Sequence, residues 1–233
     1  MDAIVLDGVW KYFGDYPAIR NVSFRLGQGQ CLALIGRNGA GKTTLLRMLG
    51  GFSRPAKGDV KISGGSPRDT ATRRSIGIIG HGISVYDELS AIENLRLFAK
   101  IYGLTNAESR AGQLLDRVGL GRVKDGLVRE FSRGMRQRLA VARAFIHEPS
   151  VLLLDEPFTS LDDRAIAVLQ SLLSEAAQRG ASIVMSTHQL REAMELASQV
   201  ILLERGQLVF EGPRSDEMLN DPGWVYAHYG DKA

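Results

Sequence analysis

The sequence predicts an α/β fold with a largely parallel sheet. Short apolar runs rich in Val, Ile and Leu alternate with helical patterns, most regularly from about residue 150 onward. The run at 151–154 is apolar at every position, which is typical of a strand buried on both faces of a parallel sheet. The stretch from about 82 to 147 is nearly all helical in pattern. We therefore expect an α/β core interrupted by a helical subdomain, without a flexible linker.

The strands are predicted from apolar runs that end in turn residues. Their expected bounds are 3–9, 22–26, 31–35, 60–63, 76–79, 151–154, 182–186, 200–203 and 207–210.

The helices are predicted from apolar positions three and four residues apart. Ser90 and Glu93 have the spacing of a capping box ahead of one helix, and Thr105 and Glu108 repeat that spacing ahead of the next. The remaining helical patterns cover 43–49, 132–147, 166–176 and 190–197.

The composition is that of an average globular chain. Of the 233 residues, 44% are hydrophobic and 24% are charged, and 29 Lys and Arg against 26 Asp and Glu give a net charge of +3. So small an excess does not support a nucleic-acid partner, and we expect none. The single cysteine, Cys31, excludes an intrachain disulfide and a cysteine-cluster metal site. Because no run of about 20 apolar residues and no secretory signal occur, we expect a soluble intracellular protein.

The strongest motif lies between the predicted strand at 31–35 and the helix at 43–49. It reads Gly36-Arg37-Asn38-Gly39-Ala40-Gly41-Lys42-Thr43 and fits the phosphate-binding pattern G-x-x-x-x-G-K-[ST]. Its glycines let backbone N–H groups point toward phosphate oxygens, and the helix N-terminus adds a positive dipole end. Lys42 is expected to reach the β- and γ-phosphates, and the Thr43 hydroxyl to bind Mg²⁺.

Two carboxylates follow the apolar strand at 151–154. Asp155 is expected at the carboxyl edge of the sheet, beside the phosphate loop, where it can hold magnesium through water. Glu156 points elsewhere, and its carboxylate can polarise or orient an attacking water. An ordinary strand end is the alternative interpretation of this pair, and the phosphate loop upstream argues against it.

A second candidate anion site lies at the start of a predicted helix. The segment reads Phe131-Ser132-Arg133-Gly134-Met135-Arg136-Gln137-Arg138. The Ser132 hydroxyl and the first backbone amides of the helix would face outward at its positive dipole end. A simple helix cap is the alternative interpretation.

Several of these segments resemble motifs of one family. The residues Ser132 to Arg138 resemble the signature motif of ABC ATPases. Ser160-Leu161-Asp162 resembles the D-loop of that family, and Thr187-His188 resembles its switch histidine.

An aromatic segment near the N-terminus also fits the family. Lys11-Tyr12-Phe13-Gly14 resembles the A-loop, in which an aromatic ring stacks on adenine. We choose Phe13 as the stacking ring, with Tyr12 as the alternative, and a core aromatic as a third possibility. The resemblance covers about residues 3–215.

The resemblance implies a P-loop NTPase fold. Its parts are a largely parallel core sheet, a small N-terminal antiparallel β subdomain and an inserted α-helical subdomain at about 82–147. The whole chain, 1–233, would form one ABC ATP-binding domain with a short C-terminal tail at about 212–233. In that tail we expect Trp224, Tyr226 and Tyr229 to dock an end helix rather than a ligand.

The resemblance further implies that the chain hydrolyses ATP with Mg²⁺ as one of two subunits packed head to tail. Each ATP would lie between the phosphate loop of one subunit and the signature helix of the other. The implied catalytic residues are Glu156, His188 and Lys42. The implied ATP contacts are Phe13, Gly36, Arg37, Asn38, Gly39, Ala40, Gly41, Lys42, Thr43 and Thr44 in one subunit, and Ser132, Arg133, Gly134, Met135 and Asp162 in the other. The implied metal ligands are Thr43, Asp155 and His81.

The expected location of the chain follows from the partners that the resemblance implies. A second ABC ATPase subunit, forming a homodimer, and an integral membrane transporter subunit are implied. The membrane subunit would sense closure of the dimer through a groove lined by residues about 82–95. The chain is therefore expected to be peripheral, on the cytoplasmic side of the inner (plasma) membrane.

The chain departs from the family pattern at three positions. His81 stands where the family usually has glutamine, and a neutral imidazole can still bind a metal or a water. Arg133 replaces the first glycine of the signature, and Met135 replaces its glutamine. Because Ser132 and Gly134 are kept, we expect activity to survive.

The subfamily is predicted from the same region. Ile79-Gly80-His81 and the segment 87–95 resemble the ATPase of the heme exporter in cytochrome c maturation. Other exporters share these segments, so export of another substrate stays open. A non-transport ABC ATPase that regulates a membrane or cell-wall complex is the alternative function. A nucleic-acid-acting ABC protein is disfavoured, because such chains usually carry two cassettes or a long coiled insertion.

Overall fold

A computed structural model describes residues 1–80 and 85–230. The strands are Asp2–Phe13 (β1), Tyr16–Gly27 (β2), Cys31–Ile35 (β3), Lys57–Ile62 (β4), Ile76–Ile79 (β5), Val151–Asp155 (β6), Ser182–Ser186 (β7), Gln199–Glu204 (β8) and Gln207–Pro213 (β9). The helices are Lys42–Leu49 (α1), Thr70–Arg74 (α2), Ala91–Ile101 (α3), Ala107–Arg117 (α4), Arg133–Phe145 (α5), Asp163–Gln178 (α6), Leu190–Leu196 (α7), Asp216–Asn220 (α8) and Trp224–Tyr229 (α9).

The strands form two sheets. A three-stranded antiparallel sheet has the order β2-β1-β4, and a six-stranded sheet has the order β5-β6-β7-β3-β8-β9. In the larger sheet the five strands β5, β6, β7, β3 and β8 are parallel to one another. The edge strand β9 pairs antiparallel with β8. Every residue of β3, β6 and β7 is buried, as expected for strands covered on both faces. The predicted fold class is confirmed.

The core lies in two apolar layers on opposite faces of the six-stranded sheet. Alternate residues of a strand enter opposite layers, because side chains of a strand point to opposite faces. Leu152 and Leu154 join the layer that includes α3, α4 and α5. Leu153 joins the layer that includes α1 and the antiparallel sheet. The strand β6 is thus held from both sides, which fixes the position of its final residue, Asp155.

The two predicted capping boxes had different outcomes. At α3 the box is present, because the Ser90 hydroxyl accepts from the Glu93 amide at 3.3 Å and the Glu93 carboxylate accepts from the Ser90 amide at 2.8 Å. At 105–108 the prediction was wrong. The helix α4 begins after Asn106, which forms no side-chain cap, and the Glu108 carboxylate pairs with Arg96 of α3 instead.

Within residues 1–80 and 85–230, no helix is long and apolar enough to cross a membrane. The predicted metal ligand His81 lies outside the described residues, shortly after β5 ends.

Candidate nucleotide-binding site

The phosphate loop runs from the end of β3 to the start of α1 and needs its glycines. Gly36, Gly39 and Gly41 have positive φ angles of 155°, 81° and 107°. A β-carbon at Gly36 would lie 2.3 Å from the Leu203 carbonyl oxygen, so no larger residue fits there. The Gly206 amide donates to the Ala40 carbonyl at 2.9 Å, which ties the loop to the turn between β8 and β9.

Alanine substitutions should separate backbone strain from steric clash in this loop. A β-carbon at Gly39 meets nothing within 4 Å, whereas one at Gly36 overlaps Leu203. We expect Gly39→Ala to lower the free energy of unfolding by about 1 kcal/mol through strain alone. Gly36→Ala should lower it by about 3 kcal/mol, because the clash adds to the strain. Urea unfolding without nucleotide measures both values, and equal losses would contradict the clash.

The Lys42 side chain is folded onto its own loop. Lys42 is only 8% exposed. Its ammonium donates to the Gly36 carbonyl at 2.6 Å and to the Arg37 carbonyl at 3.3 Å. Burial lowers the pKa of Lys42, and the negative charges of Glu156 and Asp155 counteract part of that effect. The Lys42 ammonium is therefore partly desolvated, and it belongs to a loop whose backbone N–H groups can bind an anion.

The Asp155 carboxylate is held by hydroxyls from two other elements. The Thr43 hydroxyl of α1 donates to Asp155 Oδ2 at 2.8 Å, and the Ser186 hydroxyl of β7 donates to Oδ1. Hydroxyl and carboxylate oxygens are the donors that Mg²⁺ prefers, so these residues fit that ion. Ser186 was missed by the sequence reasoning. Its signal was its place as the last residue of a predicted strand, directly beside Asp155 in the sheet.

Glu156 and His188 lie together at the same edge of the sheet. Glu156 Oε2 lies 2.8 Å from His188 Nδ1 and accepts from the His188 amide at 3.2 Å. Glu156 has a φ of 52°, and its amide donates to the Ser186 carbonyl at 2.9 Å. This left-handed kink directs the Glu156 carboxylate away from the side taken by Asp155. A cavity of about 150 Å³ opens between both carboxylates and the phosphate loop, from Asn38 to Thr44.

The residues predicted to act on a second subunit have local roles in this chain. The Ser132 hydroxyl accepts from the Met135 amide at 3.2 Å and caps α5. The Asp162 carboxylate accepts from the Ala165 amide at 2.8 Å and caps α6. A β-carbon at Gly134 would lie 3.2 Å from the Ser160 carbonyl, so the two helix starts are neighbours.

In the part of the chain that the structure describes, the residues around the cavity at the phosphate loop include none from 132–135 or 160–162. Of the predicted ATP contacts, the described residues from Asn38 to Thr44 line this cavity, and the contribution of the two helix starts stays a prediction.

The predicted adenine-stacking residues differ in their accessibility. Phe13, at the end of β1, is 59% exposed, with the Lys11 ammonium 5.7 Å from its ring centre. Tyr12 is 36% exposed and stacks on Trp10 at 6.0 Å between ring centres. Each ring has a neighbour, Lys11 at Phe13 and Trp10 at Tyr12, so it is the larger exposed fraction that favours Phe13 as the stacking ring.

Comparisons with known proteins show the family of this chain. The family model described as ABC transporter matches residues 19–159. The Nod factor export ATP-binding protein I of Cupriavidus metallidurans is 36% identical over 238 residues, covering 100% of this chain and 78% of the relative. The daunorubicin resistance ATP-binding protein DrrA3 of Streptomyces coeruleorubidus is 36% identical over 225 residues, covering 95% of this chain and 71% of the relative.

A solved structure of a similar protein contains bound nucleotide. It is a dimeric ATP-binding cassette in a post-hydrolysis state, bound to ADP and Pi. It is 27% identical to this chain with a TM-score of 0.81, over 91% of this chain and 99% of that one. The phosphate loop, the paired carboxylates and these matches lead to one conclusion: this chain belongs to the ABC transporter family as an ATP-binding subunit, an ATPase that uses Mg²⁺.

Proposed function

We propose that the chain energises a membrane exporter by hydrolysing ATP between two of its copies. The observation that carries this proposal is the Glu156–His188 pair, 2.8 Å apart, beside the cavity at the phosphate loop. In this assignment Lys42 and the amides of residues 36–44 hold the β- and γ-phosphates, and Phe13 stacks on adenine. Thr43 and Asp155 hold Mg²⁺, which neutralises charge on the phosphate oxygens when bound.

Glu156 is proposed to activate the attacking water. The water oxygen bonds to the γ-phosphorus, the bond from that phosphorus to the bridging oxygen breaks, and ADP and phosphate form. Glu156 takes the proton of the water. The His188 imidazole fixes the Glu156 carboxylate through Nδ1 and contacts the γ-phosphate from the same side.

The second half of each site is proposed to come from the other copy. Ser132, Arg133, Gly134 and Met135 lie at the start of α5, a helix of 13 residues whose positive end suits the γ-phosphate. Asp162 lies next to them in the fold. The dimeric state of the solved relative supports this arrangement. Ser132 and Gly134 are the signature residues that this chain shares with the family. Ser132 supplies a hydroxyl, and Gly134 supplies a backbone amide without a side chain, for the phosphate of the other copy's ATP.

The groove for the membrane subunit was predicted at residues about 82–95, of which 82–84 lie outside the described residues. The docking site proposed here is instead a cavity between the core and the helical layer, and its described lining includes Ile79, Gly80 and Phe98 but no residue from 85–95. It measures about 500 Å³ and combines Arg47, Arg73 and Arg143 with the rings of Phe52 and Phe98. The Arg143 guanidinium lies 5.2 Å from the Phe98 ring centre and donates to the Ile78 carbonyl at 2.7 Å. Three cations around apolar rings suit a partner segment that carries an acidic side chain beside an apolar one.

Substitution of Phe52 tests this docking site. Phe52 is 65% exposed, so Phe52→Ala should leave the fold intact while it removes the largest accessible apolar group. We expect at least a tenfold loss of the multi-spanning membrane subunit that co-purifies with the wild-type chain in detergent. Leu219→Ala, an exposed apolar residue on α8, is the matched control. Wild-type recovery with Phe52→Ala would contradict the site.

The exported substrate is proposed from the relatives and from the sequence. The names of two relatives refer to Nod factor export and daunorubicin resistance, which supports export of a small molecule. Heme export rests on the resemblance of residues 79–81 and 87–95 to the heme-exporter ATPase, and these relatives do not support it. A peripheral position on the cytoplasmic face follows from docking to a membrane subunit. Co-purification with a regulator that has no translocation pathway would favour the non-transport alternative.

A further inference from the structure

Ser186, the last residue of β7, lies between the strand that leads into the phosphate loop and the strand that carries Asp155. It is fully buried. In the sheet it is paired with Leu34 of β3 on one side and with Asp155 of β6 on the other. Neighbouring strands lie about 5 Å apart, so a short side chain at this position can reach across to Asp155. Ser186 therefore joins the two sides of the candidate magnesium site.

Ser186 contacts both carboxylate residues that follow β6. Its hydroxyl donates to Asp155 Oδ1, and its carbonyl accepts from the Glu156 amide at 2.9 Å. The second contact is made where the Glu156 backbone turns left-handed, with a φ of 52°. One residue thus holds the side chain of Asp155 and the backbone of Glu156, whose carboxylates point to different sides.

The two oxygens of the Asp155 carboxylate have different partners. Oδ2 accepts from the Thr43 hydroxyl at 2.8 Å, and Oδ1 accepts from the Ser186 hydroxyl. Thr43 and Asp155 line the cavity at the phosphate loop, whereas Ser186 is absent from its lining in residues 1–80 and 85–230. An ion in that cavity has access to Thr43 and Asp155 but not to Ser186.

We propose that Ser186 is a positioning residue for magnesium, whose hydroxyl fixes the rotation of the Asp155 carboxylate and keeps Oδ2 beside Thr43. The inference rests on the proposed role of Thr43 and Asp155 as Mg²⁺ ligands. Hydrogen bonds from a hydroxyl to a carboxylate are charge-assisted and strong, and such bonds hold metal-binding carboxylates in place. Without the Ser186 hydroxyl, Oδ1 loses its donor and the carboxylate is free to turn.

Ser186→Ala removes the hydroxyl and keeps the backbone contact to Glu156. The probe is Mn²⁺, whose free EPR signal disappears on binding, titrated into the chain with a stoichiometric amount of a non-hydrolysable ATP analogue. We expect the Kd for Mn²⁺ to rise about tenfold, the lower end of the range for a lost hydrogen bond behind a metal ligand. The Kd for the analogue alone, in EDTA, should stay within about twofold of the wild type, because the phosphate loop is unchanged.

Ser182→Ala is the matched control, because Ser182 is also fully buried on β7. Its hydroxyl donates to the Gly27 carbonyl and accepts from the Gly29 amide, both at 3.1 Å. Ser182 and Ser186 lie at opposite ends of β7, about 13 Å apart along the strand. Both variants should lower the midpoint of thermal unfolding by a few degrees, and only Ser186→Ala should weaken Mn²⁺ binding. Equal Kd values for Mn²⁺ in the two variants would overturn the proposal.

Two further variants distinguish a failure of this proposal from a failure of the metal assignment. Ser186→Cys retains a side chain of similar shape with only a weak S–H donor, so it should also raise the Kd for Mn²⁺, and it serves if the alanine variant does not fold. Asp155→Asn should weaken Mn²⁺ binding by at least the same factor. Wild-type Mn²⁺ binding in Asp155→Asn would refute the metal assignment and the proposal with it. Loss of Mn²⁺ in Asp155→Asn alone, with wild-type binding in both Ser186 variants, would refute only the positioning role.

Discussion

Glu156→Gln should slow ATP turnover by about two to four orders of magnitude while ATP still binds. The amide has the size of the carboxylate, but it cannot accept the proton of the attacking water. It also replaces the charge that lies 2.8 Å from His188 Nδ1. The cavity at the phosphate loop is lined mainly by residues 38–44, which the substitution leaves in place. We therefore expect Glu156→Gln to lose ATP turnover while it retains ATP binding.

The oligomeric state gives a second measure of the same variant. If hydrolysis is what reopens the dimer, Glu156→Gln should run as a dimer in gel filtration with ATP and Mg²⁺ and as a monomer without them. Glu217→Gln, on the exposed face of α8, is a control that should turn over ATP as wild type does. A monomer in all conditions, with normal wild-type turnover, would show that the two-copy site is wrong.

Lys42→Met should abolish detectable ATP turnover and weaken ATP binding by about tenfold to a hundredfold, the range of a charge-assisted hydrogen bond. The same change should not destabilise the nucleotide-free chain. The pKa of Lys42 is lowered in the fold, so the fold disfavours the ammonium relative to water. That penalty is complete below the lowered pKa and disappears as the pH rises past the ordinary lysine value. A neutral methionine avoids it.

Thermal unfolding at pH 7, with and without ATP and Mg²⁺, measures both effects of Lys42→Met. The nucleotide-free midpoint should equal or exceed that of the wild type, and the upward shift caused by ATP should vanish. Lys61→Met, on the exposed face of β4, is the matched control and should keep the shift. A lower midpoint without nucleotide would mean that the bonds to the Gly36 and Arg37 carbonyls outweigh the burial of the charge.

The fully buried strands were predictable from the sequence, and the exposed elements were not. The strands β3, β5 and β7 match their predicted bounds, because turn residues flank runs that are almost wholly apolar. The hairpin of β1 and β2 extends well beyond its predicted apolar positions, since cross-strand pairing carries it through polar residues out to Phe13 and Tyr16. The helix α2 has no buried residue, so it leaves no apolar period to detect.

In the candidate site, too, the residues next to buried strands were predictable and others were not. Lys42, Asp155, Glu156 and His188 follow buried strands, and the carboxyl ends of parallel strands meet at one edge, so their proximity could be predicted. The return of the Lys42 side chain onto the Gly36 and Arg37 carbonyls could not be predicted, because it depends on the three-dimensional course of the loop.

The central position of β3 has a consequence for synthesis on the ribosome. Its two neighbours in the sheet are β7 and β8, and bonds at its start join residues 153 and 167 positions apart. At about 5–20 residues per second, these neighbours emerge roughly 8–30 s after β3 does. Until then both edges of the wholly apolar strand β3 are unpaired. Unpaired apolar edges promote aggregation and chaperone binding. The nucleotide site is completed late, so nucleotide binding by a nascent chain would report that the whole sheet has closed.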